Sequence, residues 1–275
     1  IEPAGAKGVY ILKRPEPLGD NLISVVNDMS RQRRKDIKDR GEHPGIIEET
    51  YVYPMLGGRN IHRWKVVSNE FMLVPHTPET PYGMDEVGMA KTAFLTYKWL
   101  EYYREGLNAS RKQNGKFYDP KIHPWYRLDN VGKYTFSDYK VVWKEQASSS
   151  SAVAIGPYST LPMSDLSIFG GQDKPVVIDS KVLMVSTESM LEAYYLSGVL
   201  NSPSVRTLID TYGVGLNRGV DVLKNIMVPQ YDSNNEIHQQ VARLSEEIHI
   251  LASQGDDISL HESILDTFVM RMYLS

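Results

Sequence analysis

Short runs of apolar residues on a two-residue period dominate the first two-thirds of the chain. Gly8-Val9-Tyr10-Ile11-Leu12 and Leu22-Ile23-Ser24-Val25-Val26 alternate as half-buried strands do. Tyr51-Val52-Tyr53-Pro54-Met55-Leu56 and Phe71-Met72-Leu73-Val74 predict further short strands, and so do the stretches 139–143, 152–155, 176–178 and 182–185. A helical period appears over 86–106, where Ala90, Phe94, Tyr97 and Leu100 fall on one face and Gly106 and Asn108 supply stop signals. Ser189-Met190-Leu191-Glu192 is a capping-box pattern opening a helix to about Asn201, and Pro203 after Ser202 starts another. The end of the chain changes character. Ser233-Asn234-Asn235-Glu236 is a second capping box, followed by Ile237, Val241, Leu244, Ile248 and Leu251 at alternating four- and three-residue spacing. Ser259-Leu260-His261-Glu262 opens a last helix carrying Ile264, Leu265, Phe268 and Met272. The pattern predicts an α+β chain: a mixed-sheet domain over 1–230 and a C-terminal helical hairpin over 231–275.

Composition adds limits to that picture. With 275 residues, 41% of them apolar and 23% charged, the chain can bury a sizeable core. It has no cysteine, so disulfides and thiolate metal sites are excluded, and a reducing cytoplasm is the expected location. No apolar run is long enough to cross a bilayer, and nothing at the start resembles a signal peptide. The first residue is Ile1 rather than Met, which leads us to expect a fragment or a processed chain. The net charge of −4 is unevenly spread: residues 1–150 hold 23 Lys/Arg against 19 Asp/Glu, and residues 151–275 hold 7 against 15. Phosphate attraction is local, so the first half is the expected DNA-facing portion if nucleic acid is bound at all. The charge run from Arg31 to Arg40 reads as a solvated connection or as a phosphate-contacting segment.

Catalytic patterns are thin. The histidines lack metal-ligand spacing, and no Walker loop or Gly-x-Ser-x-Gly elbow occurs. Gly213-Val214-Gly215-Leu216-Asn217-Arg218-Gly219 has its last glycine one place late for a dinucleotide loop and follows a helix, so it reads as a turn. Asp165 with Asp179-Ser180-Lys181 has the residue types of a metal-dependent nuclease, in which metal and lysine activate water. The Asp-x-Lys pattern recurs at Asp36, Asp119 and Asp138, which empties it of information. No Pro-Pro pair exists, so the Asn/Asp-Pro-Pro-aromatic turn of adenine methyltransferases is missing, and this chain alone is expected to be no enzyme.

The order of several segments, though, is familiar. Glu48 through Trp64, with Tyr53-Pro54-Met55-Leu56-Gly57-Gly58-Arg59-Asn60-Ile61-His62-Arg63-Trp64 at its centre, resembles a stretch of the TaqI-like specificity domains. These domains follow the catalytic domain in many N6-adenine DNA methyltransferases, including type IIG restriction-modification enzymes. The helix with Phe94, Tyr97, Leu100, Leu107 and Arg111 is similar to the same family, and so are Tyr118 through Tyr126 with 139–143. Glu192-Ala193-Tyr194-Tyr195-Leu196 through Leu200-Asn201-Ser202-Pro203, then Asn225 through Asp232, then Leu265 through Leu274, complete six segments in the family's order.

The resemblance implies a target-recognition module, with double-stranded DNA and a catalytic domain in the same polypeptide as its partners. It implies no cofactor in this chain and S-adenosylmethionine for the full-length enzyme. A metal-dependent nuclease domain and a protein-assembly module of the same system are the alternatives. Base reading favours Arg or Lys to guanine and Asn or Gln to adenine. Arg59, Asn60, Arg63, Trp64 and Lys65 therefore form the first candidate cluster, with Gly57 and Gly58 permitting close backbone approach. Lys140 and Lys144 flank a strand leading into Ser148 and Ser149, whose hydroxyls suit phosphate, and Asn217 and Arg218 sit in the Gly-rich turn.

Overall fold

The computed structural model describes residues 1–114, 118–145, 151–212 and 226–274. The chain is α+β, with mixed sheets and a C-terminal pair of helices. It divides into two units, each assembled from three separate stretches. Unit 1 comprises Ile1–Met55, Glu70–Phe136 and Ser164–Ser180; unit 2 comprises Leu56–Asn69, Ser137–Met163 and Lys181–Ser275. The expected boundary near residue 230 is therefore not where the chain divides, and residues 231–275 belong to a larger unit.

This interleaving also cancels the charge argument. Counted by unit, Lys/Arg against Asp/Glu is 19 to 20 in unit 1 and 11 to 14 in unit 2. The basic first half and acidic second half do not correspond to structural bodies.

In unit 1, β1 (Ile11–Leu12), β8 (Glu70–Leu73), β5 (Val52–Leu56) and β11 (Val177–Ile178) form one sheet in that order, with β1–β8 and β5–β8 antiparallel. A second, antiparallel sheet runs β2 (Glu16–Gly19), β3 (Leu22–Val26), β4 (Pro44–Glu48). The expected strand at 8–12 is mostly a helical turn, α1 (Lys7–Tyr10), because Gly8 packs tightly on Gln32, whose Oε1 accepts the Gly8 N–H at 2.9 Å. The short α2 (Lys35–Lys38) follows within the charge run.

The single helix expected over 86–106 is three: α3 (Glu86–Thr92), α4 (Phe94–Glu101) and α5 (Arg104–Asn114). Ala93 leaves the helical region at φ −145°, which rotates the buried face. Phe94 is consequently exposed, and Thr96, Trp99 and Leu100 are buried in its place. Gly106 does not stop α5; a Cβ there would come within 2.6 Å of the buried Ile37 side chain, so glycine is what lets α2 dock. Lys174 secures the last stretch of unit 1: its ammonium donates to the Glu49 and Val52 carbonyls at 2.6 and 3.0 Å and lies 4.6 Å from the Phe169 ring centre.

Unit 2 has a three-stranded antiparallel sheet, β10 (Ala152–Ile155), β9 (Tyr139–Lys144), β12 (Val182–Thr187), and a small hairpin, β6 (Ile61–His62) with β7 (Lys65–Val66). Its helices are α6 (Met190–Asn201), α7 (Pro203–Tyr212), α8 (Glu236–Gln254) and α9 (Ser259–Leu274). Ser189 caps α6 as expected, its hydroxyl accepting the Glu192 N–H, while the Glu192 carboxylate turns back to the N–H of Glu188. The box expected at Ser233 is replaced by Asn235, whose side chain accepts from the N–H groups of Ile237 and His238. Gly255, at φ +86°, ends α8 in a left-handed turn that leads into α9.

The core of this unit lies between α6 and α8. Gly198 brings them close: a Cβ at that position would sit 3.1 Å from Ser245 Cβ. Val141, Val199, Val241, Ile248, Leu265 and Val269 fill the space, all with no exposure. No helix among the described residues is long and apolar enough to cross a membrane.

Candidate nucleic-acid interface

The β6–β7 hairpin carries most of the first candidate cluster. Ile61 pairs with Val66 and His62 with Lys65, leaving Arg63 and Trp64 as the two-residue turn. Trp64 adopts φ +69°, a left-handed backbone that costs a bulky side chain roughly 1–2 kcal/mol. Burial and hydrogen bonding offset that strain. Trp64 is 1% exposed, its indole Nε1 donates to Glu262 Oε1 at 2.6 Å, and its backbone N–H donates to the Ala152 carbonyl. Arg63 forms an ion pair with the same Glu262 oxygen. One carboxylate of α9 thus fixes both turn residues.

Asn60 is equally committed. Its Oδ1 accepts the Gly57 N–H at 2.7 Å and its Nδ2 donates to Ser68 Oγ at 2.9 Å, so it braces the approach to the hairpin. Asn60 and Trp64 are therefore corrected from base readers to scaffold, since neither presents its side chain to solvent. Arg63 is only partly accessible and is held by Glu262. Arg59 is exposed; His62 is exposed and Lys65 half-buried, and neither of these two makes an ion pair or side-chain hydrogen bond among the described residues.

Lys140 needs the same correction. It lies fully buried on the central strand β9, and its ammonium donates to the Ser137 carbonyl. Burial lowers its pKa to about 7. An enclosed amine already committed to a backbone carbonyl is unsuited to phosphate. Lys144, at the end of β9, is half-buried. Ser148, Ser149, Asn217 and Arg218 lie outside the described residues.

In unit 1 the charge run resolves into paired and unpaired cations. Arg31 pairs with Glu70 at 3.3 Å, Arg34 with Asp36 at 2.6 Å, and Arg40 with Glu105. Arg33, Lys35 and Lys38 are exposed and make no ion pair among the described residues. The buried Ile37 anchors this segment through α2, so three cations are displayed on a docked element.

No family model matches the chain, and no curated protein does.

The carboxylates that would serve a nuclease are each engaged by a cation. Asp165 pairs with Arg14 at 2.6 Å and accepts from Ser167; Asp179 pairs with Lys7 at 2.5 Å. Lys181 pairs with Glu145 at 3.7 Å. Among the described residues no group of three or more His, Asp or Glu is placed to hold a metal ion.

Two residues that the sequence reading passed over organise the same region of unit 2. β10 is an edge strand, and its outward groups are taken by side chains. Asn201 Oδ1 accepts the Ala152 N–H at 2.9 Å while Nδ2 donates to the Ala152 carbonyl at 2.7 Å. His249 Nε2 accepts the Ala154 N–H at 3.0 Å, and Nδ1 donates to the Ser245 carbonyl at 2.6 Å. That pair of bonds requires the neutral ring, and burial lowers its pKa to about 4. The Leu-Asn-Ser run was the only available signal for Asn201; a lone histidine on a helix gave none for His249.

The shared carboxylate gives a direct test of the hairpin scaffold. Glu262→Ala leaves the buried Trp64 N–H and the Arg63 guanidinium without their acceptor and is expected to cost about 2 kcal/mol, readable as a lowered urea midpoint. An unchanged midpoint would show that the turn is held without it.

Proposed function

We propose that this chain reads DNA sequence for an adenine-N6 DNA methyltransferase or restriction-modification enzyme, positioning duplex DNA for a catalytic domain that lies outside it. The observation that carries the reading is the β6–β7 hairpin. The stretch that most resembles TaqI-like specificity domains folds into a braced loop with Arg59 and His62 exposed and Lys65 at its far strand. Rigid presentation of a few donors is what base-edge contacts need, because discrimination depends on placement to a fraction of an ångström. On unit 1, considered by itself, Arg33, Lys35 and Lys38 supply a sequence-independent attraction to phosphates. S-adenosylmethionine belongs to the catalytic domain in this reading. The methyl acceptor is an adenine turned out of the stack into that domain.

Fluorescence anisotropy with duplex DNA at several salt concentrations tests it. Arg33→Ala, Lys35→Ala and Lys38→Ala combined should weaken binding to all sequences and reduce the salt slope by roughly 2–3. Arg59→Ala should lower affinity for the preferred sequence about tenfold or more while leaving other sequences nearly unaffected. Salt-insensitive behaviour, or no duplex binding at all, would sink the proposal.

An assembly role is the second reading. The observation favouring it is an apolar cavity of about 350 Å³ lined by Leu208, Met227, Met270 and Tyr273, of which Met227 is 79% exposed. Salt-insensitive self-association without DNA binding would decide for it.

A further inference from the structure

A second cavity, of about 220 Å³, opens in unit 2 beside the hairpin. It is smaller than the roughly 300–1,000 Å³ that drug-sized ligands occupy and suits a single planar ring system. Three rings build one wall. His249 meets Trp64 edge-on at 5.2 Å and 84°, and meets Tyr194 at 5.1 Å and 61°. Val153 and Ile155 of β10 with Met190 of α6 add apolar surface. Both nitrogens of His249 are already bonded, so the histidine offers a ring and no proton. Lys65 and Tyr194 are the polar groups of the lining whose side chains have no hydrogen-bond partner among the described residues. Ser253, on the exposed side of α8, closes the rim.

An aromatic wall with a single unpaired cation selects a flat ring that carries an anionic group nearby. We propose that this cavity is a nucleotide site, taking a base against Tyr194, which Trp64 and His249 back from the buried side, with its phosphate at Lys65. The source is either a free nucleotide or a residue turned out of a DNA strand, and the second form rests on the DNA-reading role above. Stacking and edge contacts with aromatic side chains are tolerant of base identity, so the site recognises an unstacked nucleotide rather than a sequence. Contact with Tyr194 and the apolar lining supplies most of the affinity, and Lys65 distinguishes a nucleotide from a nucleoside.

The test is a methyl and indole NMR titration of the chain with deoxyadenosine 5′-monophosphate, deoxyadenosine and inorganic phosphate. The monophosphate should move the Trp64 indole and the Val153, Ile155 and Met190 methyl signals, and deoxyadenosine should do the same with about tenfold weaker affinity. Lys65→Ala should bring the monophosphate down to the nucleoside's affinity without altering the nucleoside. Ser253→Trp, at an exposed position, should fill the mouth and abolish both. No shifts with millimolar monophosphate, or equal shifts with phosphate alone, would overturn the site.

A duplex with one extrahelical adenine then separates the sources. Binding about tenfold tighter than to the fully paired duplex, lost in Ser253→Trp, assigns the strand-borne residue. Equal affinity for the two duplexes, with monophosphate binding intact, assigns the free nucleotide. Because the salt-slope and Arg59 measurements use fully paired DNA, failure of the cavity and failure of the DNA-reading role are distinguishable.

Discussion

Acidification from pH 6.5 to about 4 is expected to destabilise both units steeply. Each holds a buried histidine whose neutral ring is built into the backbone hydrogen bonding. In unit 2, His249 accepts the Ala154 N–H at Nε2; in unit 1, His76 accepts the Leu128 N–H at 2.8 Å and its Nδ1 lies 3.1 Å from the Thr80 carbonyl. Burial lowers the pKa of His249 to about 4 and that of His76 to about 3, with the nearby Arg111 and Arg127 adding to the shift of His76. The folded state therefore binds fewer protons than the unfolded chain below pH 6.5. Stability is full above 6.5 and falls as pH drops toward the folded pKa. For His249 the loss across that window is about 3 kcal/mol, and for His76 it is no smaller. Urea titrations at pH 7.5, 5.5 and 4.5 measure it. His249→Gln keeps an acceptor that does not titrate in this range, so it should flatten the pH dependence of unit 2. A pH profile indistinguishable from wild type in that variant would remove His249 from the account.

The second large effect is expected at Asn201. Its carboxamide stands in for a neighbouring strand, with one acceptor and one donor matched to a single residue of β10. Asn201→Leu keeps the volume and removes both bonds. The Ala152 N–H is then left without its partner in a fully buried setting, and the carbonyl keeps only the longer contact from the Trp64 N–H at 3.2 Å. Unsatisfied buried groups cost about 1–3 kcal/mol each, so a loss of roughly 3 kcal/mol is expected. Asn201→Asp provides the contrast: it keeps the acceptor, loses the donor and buries a charge, and should be at least as harmful. Hydrogen exchange at the Ala152 amide is the local readout, and unchanged protection in Asn201→Leu would refute the strand-substitute role.

These two residues also mark the limits of the sequence reading. Strands at 22–26, 52–56, 70–73, 139–144 and 182–187 were legible because alternation or continuous apolar runs reflect burial directly. The helix over 86–106 was not, because it breaks at Ala93, a residue type that carries no local stop signal, and the buried face then passes to Thr96, Trp99 and Leu100. Basic residues were legible as chemistry and illegible as exposure. Lys140 reads as a phosphate contact until it is seen fully buried on the central strand β9, while Arg33, Lys35 and Lys38 read as an ordinary charge run until Ile37 is seen to anchor them. The cavity wall joins Trp64, Tyr194 and His249 from three distant positions in the chain, a convergence that no local spacing encodes.

The interleaved chain path sets an order of events during synthesis. Unit 1 has all of its residues once position 180 has been made, whereas unit 2 waits for α8 and α9, and with them for His249 and Glu262. A nascent chain halted after α7 would therefore carry a β10 edge without the acceptor for Ala154 and a Trp64 without its carboxylate. An unprotected edge strand of that kind invites pairing with other chains. Residues 236–274 thus act as a completion check, since only a chain made through α9 has the groups to seal the sheet that the second stretch of unit 2 begins.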